Sequence, residues 1–194
     1  NIYSTFYLLN NQGIIVGKND KIFPSKAVNE RRFCSFGENL NIYRVNDVYV
    51  SAVVCVDIMY PEIVRKLALN GVKIVFNPSN IPENRIDLWK HIGVTRASEN
   101  TVYYVFVNNT LTTYPDGRMV MGRSFVASPN GEIIFQADRK ERYIQTQIDL
   151  AQVTHIRNRW PYLADIQNPK TTKKLREIIK PRQHHPSKTE QPSR

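Results

Sequence analysis

Val48-Tyr49-Val50-Ser51-Ala52-Val53-Val54-Cys55, followed by Val56-Asp57-Ile58-Met59-Tyr60-Pro61-Glu62, is the stretch on which the fold turns. Its first half is apolar and β-branched, the pattern of a strand buried on both faces. Pro61 then opens a helix over Glu62–Asn70, with proline in the first turn and Gly71 just past the end. Val72–Phe76 reads as a second buried strand ending in Asn77-Pro78-Ser79-Asn80. A longer helix, Arg85–Asn100, and a third strand, Val102–Val107, complete the run. Strand, helix, strand, helix, strand predicts an α/β layered core.

Outward from that core the pattern changes. Tyr3–Leu9, the turn Asn10-Asn11-Gln12-Gly13 and the returning Ile14–Val16 predict a hairpin. Lys18–Gly37 is polar and irregular and reads as a long functional loop. Arg123–Ala127, Glu132–Gln136 and Tyr143–Ile148 read as strands joined by turns such as Ser128-Pro129-Asn130-Gly131, with no helices between them. Short connections of that kind imply antiparallel pairing, so the sheet is expected to be mixed. So apolar a sheet needs cover on both faces, by helices on one side and by something else on the other.

A chain of 194 residues with 41% hydrophobic and 23% charged residues has the balance of a globular protein. The longest apolar run, Val48–Val56, is strand-sized, which excludes a spanning helix there. Asn1–Asn10 lacks the basic start of a signal peptide and reads as a strand already under way. Two cysteines make no disulfide framework, so a cytoplasmic setting is expected. None of the four histidines stands at ligand spacing from a cysteine, and no metal site is expected. The net charge of +10 is concentrated at one end. Residues 170–194 hold eight Lys/Arg against two Asp/Glu, a net +6 that leaves +4 for residues 1–169. Lys170–Lys180 reads as a short basic helix stopped by Pro181, and the remainder as a disordered tail. The tail lacks aromatic residues to stack on bases, so a solvated terminus is favoured over a nucleic-acid contact.

Cys55 is the residue that invites chemistry. A side chain at the carboxyl end of a strand, facing the start of a helix, is where open α/β folds place their sites. Free backbone N–H groups and the helix dipole there favour a thiolate. A single cysteine in that position is nonetheless more often inert packing, and the surrounding pattern decides the matter. Cys55-Val56-Asp57-Ile58-Met59-Tyr60-Pro61-Glu62 resembles the nucleophile motif C-x-D-x-x-[FY]-P-E of the nitrilase superfamily of carbon–nitrogen hydrolases. Gly17–Pro24 is similar to that family's lysine motif, with Lys21 in the lysine position. Glu30, Phe33 and Gly37 resemble the glutamate and glycine that follow it. Asn77-Pro78-Ser79, then Trp89, Arg96, Ala97, Glu99 and Asn100, then Asn108, Gly122-Arg123-Ser124, Pro129-Asn130-Gly131, Arg157 and Pro161 keep the family's order.

The resemblance implies an α-β-β-α sandwich with mixed sheets, N-terminally incomplete. Residues 1–169 would be the C-terminal majority of a carbon–nitrogen hydrolase domain, and 170–194 a basic helix and tail. It implies a homodimer or higher homo-oligomer and a Glu-Lys-Cys catalytic set with no cofactor. In that set Cys55 is the nucleophile, Lys21 and the Val56 N–H stabilise the oxyanion, and Glu30 is a supporting carboxylate. Met59, Tyr60 and Asn80 are the expected substrate contacts. Asp57, Arg96, Glu99 and Asn100 read as buried polar scaffold, and Cys34 as structural. The family's first glutamate falls ahead of Asn1, so this chain alone is expected to be a poor catalyst. The expected reaction takes a small amide or carbamoyl compound to acid and ammonia through a cysteine thioester. Val56-Asp57, where true nitrilases usually carry Trp-Glu, favours an amide over a nitrile. Alternatives are nitrile hydrolysis and a pseudoenzyme acting as an oligomerising or binding module.

Overall fold

The computed structural model describes residues 1–110, 112–140 and 143–178, in two compact units that divide between Leu163 and Ala164. Strand β1 (Thr5–Leu9) pairs antiparallel with β2 (Ile15–Asp20) as a separate two-stranded sheet. The turn between them is locked by Asn10, whose side-chain oxygen accepts from the N–H groups of Gln12 and Ile14, each at 2.9 Å. Next come β3 (Tyr43–Val45), β4 (Val48–Ala52), helix α1 (Pro61–Leu69), β5 (Ile74–Ser79), α2 (Ile86–Asn100) and β6 (Tyr103–Asn108). A small hairpin, β7 (Thr112–Thr113) with β8 (Met119–Val120), leads to β9 (Phe125–Ala127) and β10 (Ile133–Gln136). Helices α3 (Leu150–Arg159), α4 (Tyr162–Gln167) and α5 (Pro169–Ile178) follow.

The main sheet has six strands in the order β10-β9-β6-β5-β4-β3, and it is mixed as expected. Strands β4, β5 and β6 run parallel, with Val50 beside Ile74 and Ile74 beside Tyr103, while the outer pairs are antiparallel. Alternation along the strands divides the core in two. Val75, Tyr104, Phe106, Phe125 and Ala127 join one cluster with Val64, Leu67 and Ala68 of α1 and Ile86, Trp89 and Ala97 of α2. Tyr103 and Val126 face the other way and pack with Val153 of α3. The residues of α2 that are buried recur three or four apart, so one stripe of the helix meets the sheet. That stripe includes Gly93, where a Cβ would stand 2.4 Å from the Tyr104 ring and 2.8 Å from that of Phe125. No larger residue lets α2 approach so closely.

Several expectations need correction. Tyr143–Ile148 forms no strand: it is an irregular approach to α3, with Tyr143 exposed and Ile148 packed against the second cluster. It is pinned at its far end, where Tyr103 Oη donates to the Asp149 carbonyl at 2.9 Å and Asp149 caps α3 by accepting from the Ala151 N–H. Cover on the second face therefore includes a helix, α3, that the sequence reading did not foresee. The polar loop expected from Lys18 begins later, because β2 runs on to Asp20. The basic helix runs from Pro169 to Ile178; its expected stop at Pro181 and the tail lie outside the described residues. Tyr7, Leu9, Ile14, Ile15 and Val16 of the β1–β2 hairpin are each about half exposed. Among the described residues no helix is long and apolar enough to cross a membrane.

Candidate active site

Cys55 does not end a strand. The ladder of β4 stops at Ala52, Val53 gives one further backbone bond to the Phe76 carbonyl at 2.9 Å, and Cys55 begins a 3₁₀ turn reaching Met59. Its φ is +50°, a left-handed conformation that a residue with a Cβ adopts only under constraint. The constraint is visible around it. Buried Asn77, within β5, donates from Nδ2 to the carbonyls of Val53 at 2.8 Å and Cys55 at 3.1 Å. Its own Oδ1 accepts from Tyr104 Oη at 2.7 Å. On the far side of the turn, Arg96 of α2 donates from Nε to the Ile58 carbonyl at 3.1 Å and pairs with Glu99 at 2.9 Å. The turn is held at both ends, by the buried Asn77 of the sheet and by the partly buried Arg96 of the helix.

Lys21 follows β2 directly and is almost wholly buried. Its ammonium meets Glu30 Oε2 at 2.5 Å, and the same oxygen accepts from the Ser25 N–H at 2.5 Å. A buried ammonium with one carboxylate partner is a strongly coupled pair, since neither charge can be stranded cheaply. The backbone of Lys21 is fixed as well: its N–H donates to Ser4 O and its carbonyl accepts from Gly37 N–H, both at 2.8 Å. A Cβ on Gly37 would lie 2.7 Å from Asp20 O and 2.8 Å from Lys21 O, both unyielding backbone atoms. The link between lysine and cysteine is Asp57, fully buried in the 3₁₀ turn. Its two carboxylate oxygens accept from the N–H groups of Ile22 and Phe23, each at 2.9 Å. Burial pushes the Asp57 carboxyl up to about 6, against the pull of those two N–H groups and of Lys21.

Cys55, Val56, Met59, Lys21, Glu30 and Asn80 line one cavity of about 820 Å³. Tyr60 does not line it: its ring stacks on Phe23, with centroids 4.1 Å apart. Burial raises the Cys55 thiol above its ordinary value, which corrects the expectation of a thiolate favoured by its surroundings. The Lys21 charge and the N–H groups of Asn80 and Val56 oppose that rise, and Glu30 adds to it. Asn80 is itself positioned, since its carbonyl accepts from Tyr114 Oη. Sequence reading missed part of the cavity lining: Tyr114 and Arg118 from the β7–β8 hairpin and Arg85 just before α2. Thr112–Val120 gives no hydrophobic period long enough to announce that hairpin. Among the described residues no three His, Cys, Asp or Glu side chains gather as a metal-ligand set.

The chain that carries this cysteine and its lysine–glutamate pair is similar to known proteins. Residues 1–158 match the carbon–nitrogen hydrolase family, and the chain belongs to it. It is 28% identical to the 2-oxoglutaramate amidase of Bacillus subtilis over 166 residues, which is 86% of this chain and 63% of that protein. The chain thus spans just under two thirds of that relative's length. Its fold is that of a carbon–nitrogen hydrolase from Helicobacter pylori G27, with a TM-score of 0.80 at 23% identity, over 92% of this chain and 66% of that one. An amidase from Nesterenkonia superposes with a TM-score of 0.73 at 20% identity, over 90% of this chain and 61% of that one. In that mutant structure the acetamide moiety of fluoroacetamide is covalently added at the active-site cysteine.

Proposed function

We propose that this chain carries the nucleophile side of an amidase site, hydrolysing a small non-peptide amide through a thioester on Cys55. The observation that carries this reading is the sharing of one cavity by Cys55, Lys21 and Glu30, with the N–H groups of Val56 and Asn80 against the sulfur. The Cys55 proton passes to a carboxylate base other than Glu30, which is held by Lys21 and Ser25 and is the one carboxylate of the described lining, and the sulfur attacks the amide carbon. The carbonyl oxygen becomes an oxyanion, stabilised by the Lys21 ammonium and the Val56 N–H. As the carbon–nitrogen bond breaks, the base returns the proton to the leaving nitrogen, and ammonia or an amine departs. Water then cleaves the thioester to acid and free thiol. Glu30 serves as the supporting carboxylate that keeps Lys21 in place. Met59 and Asn80 line the space where the acyl group would lie, whereas Tyr60 acts only through its packing on Phe23.

The amide is favoured over the nitrile because two of the three proteins compared, from Bacillus subtilis and Nesterenkonia, are amidases by name, and because Val56-Asp57 stands where true nitrilases usually carry Trp-Glu. The experiment is ammonia release from a panel of small amides by the full-length protein, with peptide mass analysis after fluoroacetamide. Turnover lost in Cys55→Ala, and a covalent adduct on the Cys55 peptide of the parent, are expected. An adduct elsewhere, or turnover within a few-fold of the parent in Cys55→Ala, would remove Cys55 from the mechanism.

A further inference from the structure

Strand β6 ends at Asn108, directly across the parallel ladder from Ser79, the last residue of β5. Asn108 is 6% exposed and does not line the cavity, yet its amide is fully engaged beside it. Its Oδ1 accepts from the Ile81 N–H at 2.8 Å. Its Nδ2 donates to the Ile81 carbonyl at 3.0 Å and to the Gly122 carbonyl at 2.9 Å. Holding the N–H and the carbonyl of one residue takes a donor and an acceptor side by side, which a primary amide supplies and a carboxylate does not. Asn108 thus clasps Ile81 and ties it to Gly122, two residues past β8.

The residue ahead of Ile81 is held from the β7–β8 hairpin. Tyr114 Oη donates to the Asn80 carbonyl, and Thr112 Oγ1 meets Asn80 Oδ1 at 3.3 Å. Buried backbone groups need partners in any loop, so these bonds alone assign no role. What singles the segment out is the group they leave over. The β5–β6 ladder stops at Ser79, so the Asn80 N–H lies beyond it, and that N–H bears on the Cys55 sulfur across the shared cavity wall. Burial raises the thiol. Of what opposes that rise, the Lys21 charge comes first and the Asn80 N–H second, ahead of the N–H of Val56 beside the cysteine itself.

We propose that Asn108 and Tyr114 are positioning residues, which hold the Asn80–Ile81 segment so that the Asn80 N–H is aimed at the sulfur of Cys55. The catalytic consequence rests on the amide-hydrolysis reading of the same cavity. There the N–H steadies the thiolate twice. The first time is when the base takes the thiol proton. The second follows the addition of water to the thioester, its proton passing to the base. The carbon–sulfur bond then breaks with its electron pair going to sulfur, which recovers the proton from the base.

The test needs no turnover: the rate of Cys55 alkylation by iodoacetamide is followed against pH in the full-length protein by peptide mass spectrometry. The charged and titratable groups around the sulfur are Lys21 and Glu30 after β2, Asp57 in its own turn, Tyr104 of β6, Tyr114 and Arg118 of the hairpin, and Arg85 ahead of α2. Asn108→Ala alters none of them. It should displace the rate–pH curve upward by about one unit and slow the reaction at pH 8 about tenfold, the scale of one hydrogen bond to a charged group. Tyr114→Phe, which removes one hydroxyl, should displace the curve upward by about half as much. The sign separates aim from loosening, because a slackened loop that admitted water would relieve the burial of the thiol and move the curve down. Val153→Ala, a core deletion on the opposite face of the sheet, should lower Tm and leave the curve in place.

A curve unmoved or moved down in Tyr114→Phe, or in a folded Asn108→Ala variant, would overturn the inference. So would an upward displacement in Val153→Ala equal to that in Asn108→Ala. Should Asn108→Ala fail to fold, Tyr114→Phe decides alone. Upward displacement without ammonia release from any amide by the parent would instead sink the hydrolysis reading and leave the positioning standing.

Discussion

Asp57 and Ile22 are 35 residues apart in sequence, yet the carboxylate of one holds the backbone N–H of the other at 2.9 Å. The same carboxylate takes the N–H of Phe23. The residue two places after Cys55 thereby holds the residue one place after Lys21, and a displacement of either turn is felt by the other. Pairing two such groups on separate loops demands a rigid connection, and a buried carboxylate with two N–H donors supplies one.

That carboxylate leaves a signature in stability against pH. Its folded value, about 6, lies above the ordinary 3.8, so between those limits the folded state holds more protons than the unfolded one. Stability from this group is therefore gained as pH falls through 6 toward 4 and lost as pH rises again. The full difference is about 3 kcal/mol at 1.36 kcal/mol per unit. Urea unfolding of the parent and Asp57→Asn at pH 4, 5, 6 and 7 isolates it. The parent should lose stability relative to the mutant across that range, and parallel curves would show that Asp57 titrates normally.

Alkylation of Cys55 should report its raised thiol pKa. The rate with iodoacetamide is expected to keep climbing through pH 9, because burial outweighs the Lys21 charge. Lys21→Met removes that charge and should move the profile to still higher pH. A midpoint below pH 8 in the parent would mean that the site favours the thiolate after all.

Lys21 and Glu30 should prove unequal under mutation. Lys21→Ala is expected to lose on the order of 10²–10³ in turnover through the oxyanion. Lys21→Arg should do little better, since a planar fork does not replace a point charge. Glu30→Ala strands an ammonium whose side chain is 3% exposed, and should destabilise the fold by about 3 kcal/mol. Thermal unfolding and steady-state assays on the three variants separate these effects. Equal Tm values for Glu30→Ala and the parent would mean that the pair is not structurally coupled.

Gly37→Ala tests the packing beneath Lys21. The added methyl would press on the carbonyl oxygens of Asp20 and Lys21, and should cost about 1–3 kcal/mol. Because the strain falls on the backbone of Lys21, turnover should fall with stability. Gly93→Ala, whose methyl would meet the Tyr104 and Phe125 rings, should show a similar loss of Tm. A Gly37→Ala variant with the parent's Tm and activity would mean that the loop yields freely.

The parallel core could be read from sequence because each element carried its own signal: apolar runs for β4, β5 and β6, and Pro61 with Gly71 around α1. The site could be read only where motif order tied Lys21 and Glu30 to Cys55. What was missed shares a physical cause. Tyr143–Ile148 alternates like a strand, but whether it pairs depends on neighbours that no local pattern records. Arg85 carries no local mark of a pocket, since only the turn ahead of α2 brings it beside Trp89. The role of Asp57 likewise depends on two N–H groups from a loop 34 and 35 residues away. Burial reversed the pKa expected for Cys55, because strand-end geometry says nothing of how much water the finished cavity admits.

The left-handed backbone at Cys55 sets two kinds of fitness against each other at one position. At a φ of +50° a Cβ costs about 1–2 kcal/mol, which glycine would not incur. Cys55 packs against the first core cluster on one side and borders the cavity on the other, so its removal gives up only part of a full core contact. A library at this position sorted for resistance to heat or protease should therefore drift to glycine, while one sorted for chemistry should hold cysteine. The two rankings would run in opposite directions, and the gap between them measures how much folding stability this loop gives up to keep its thiol.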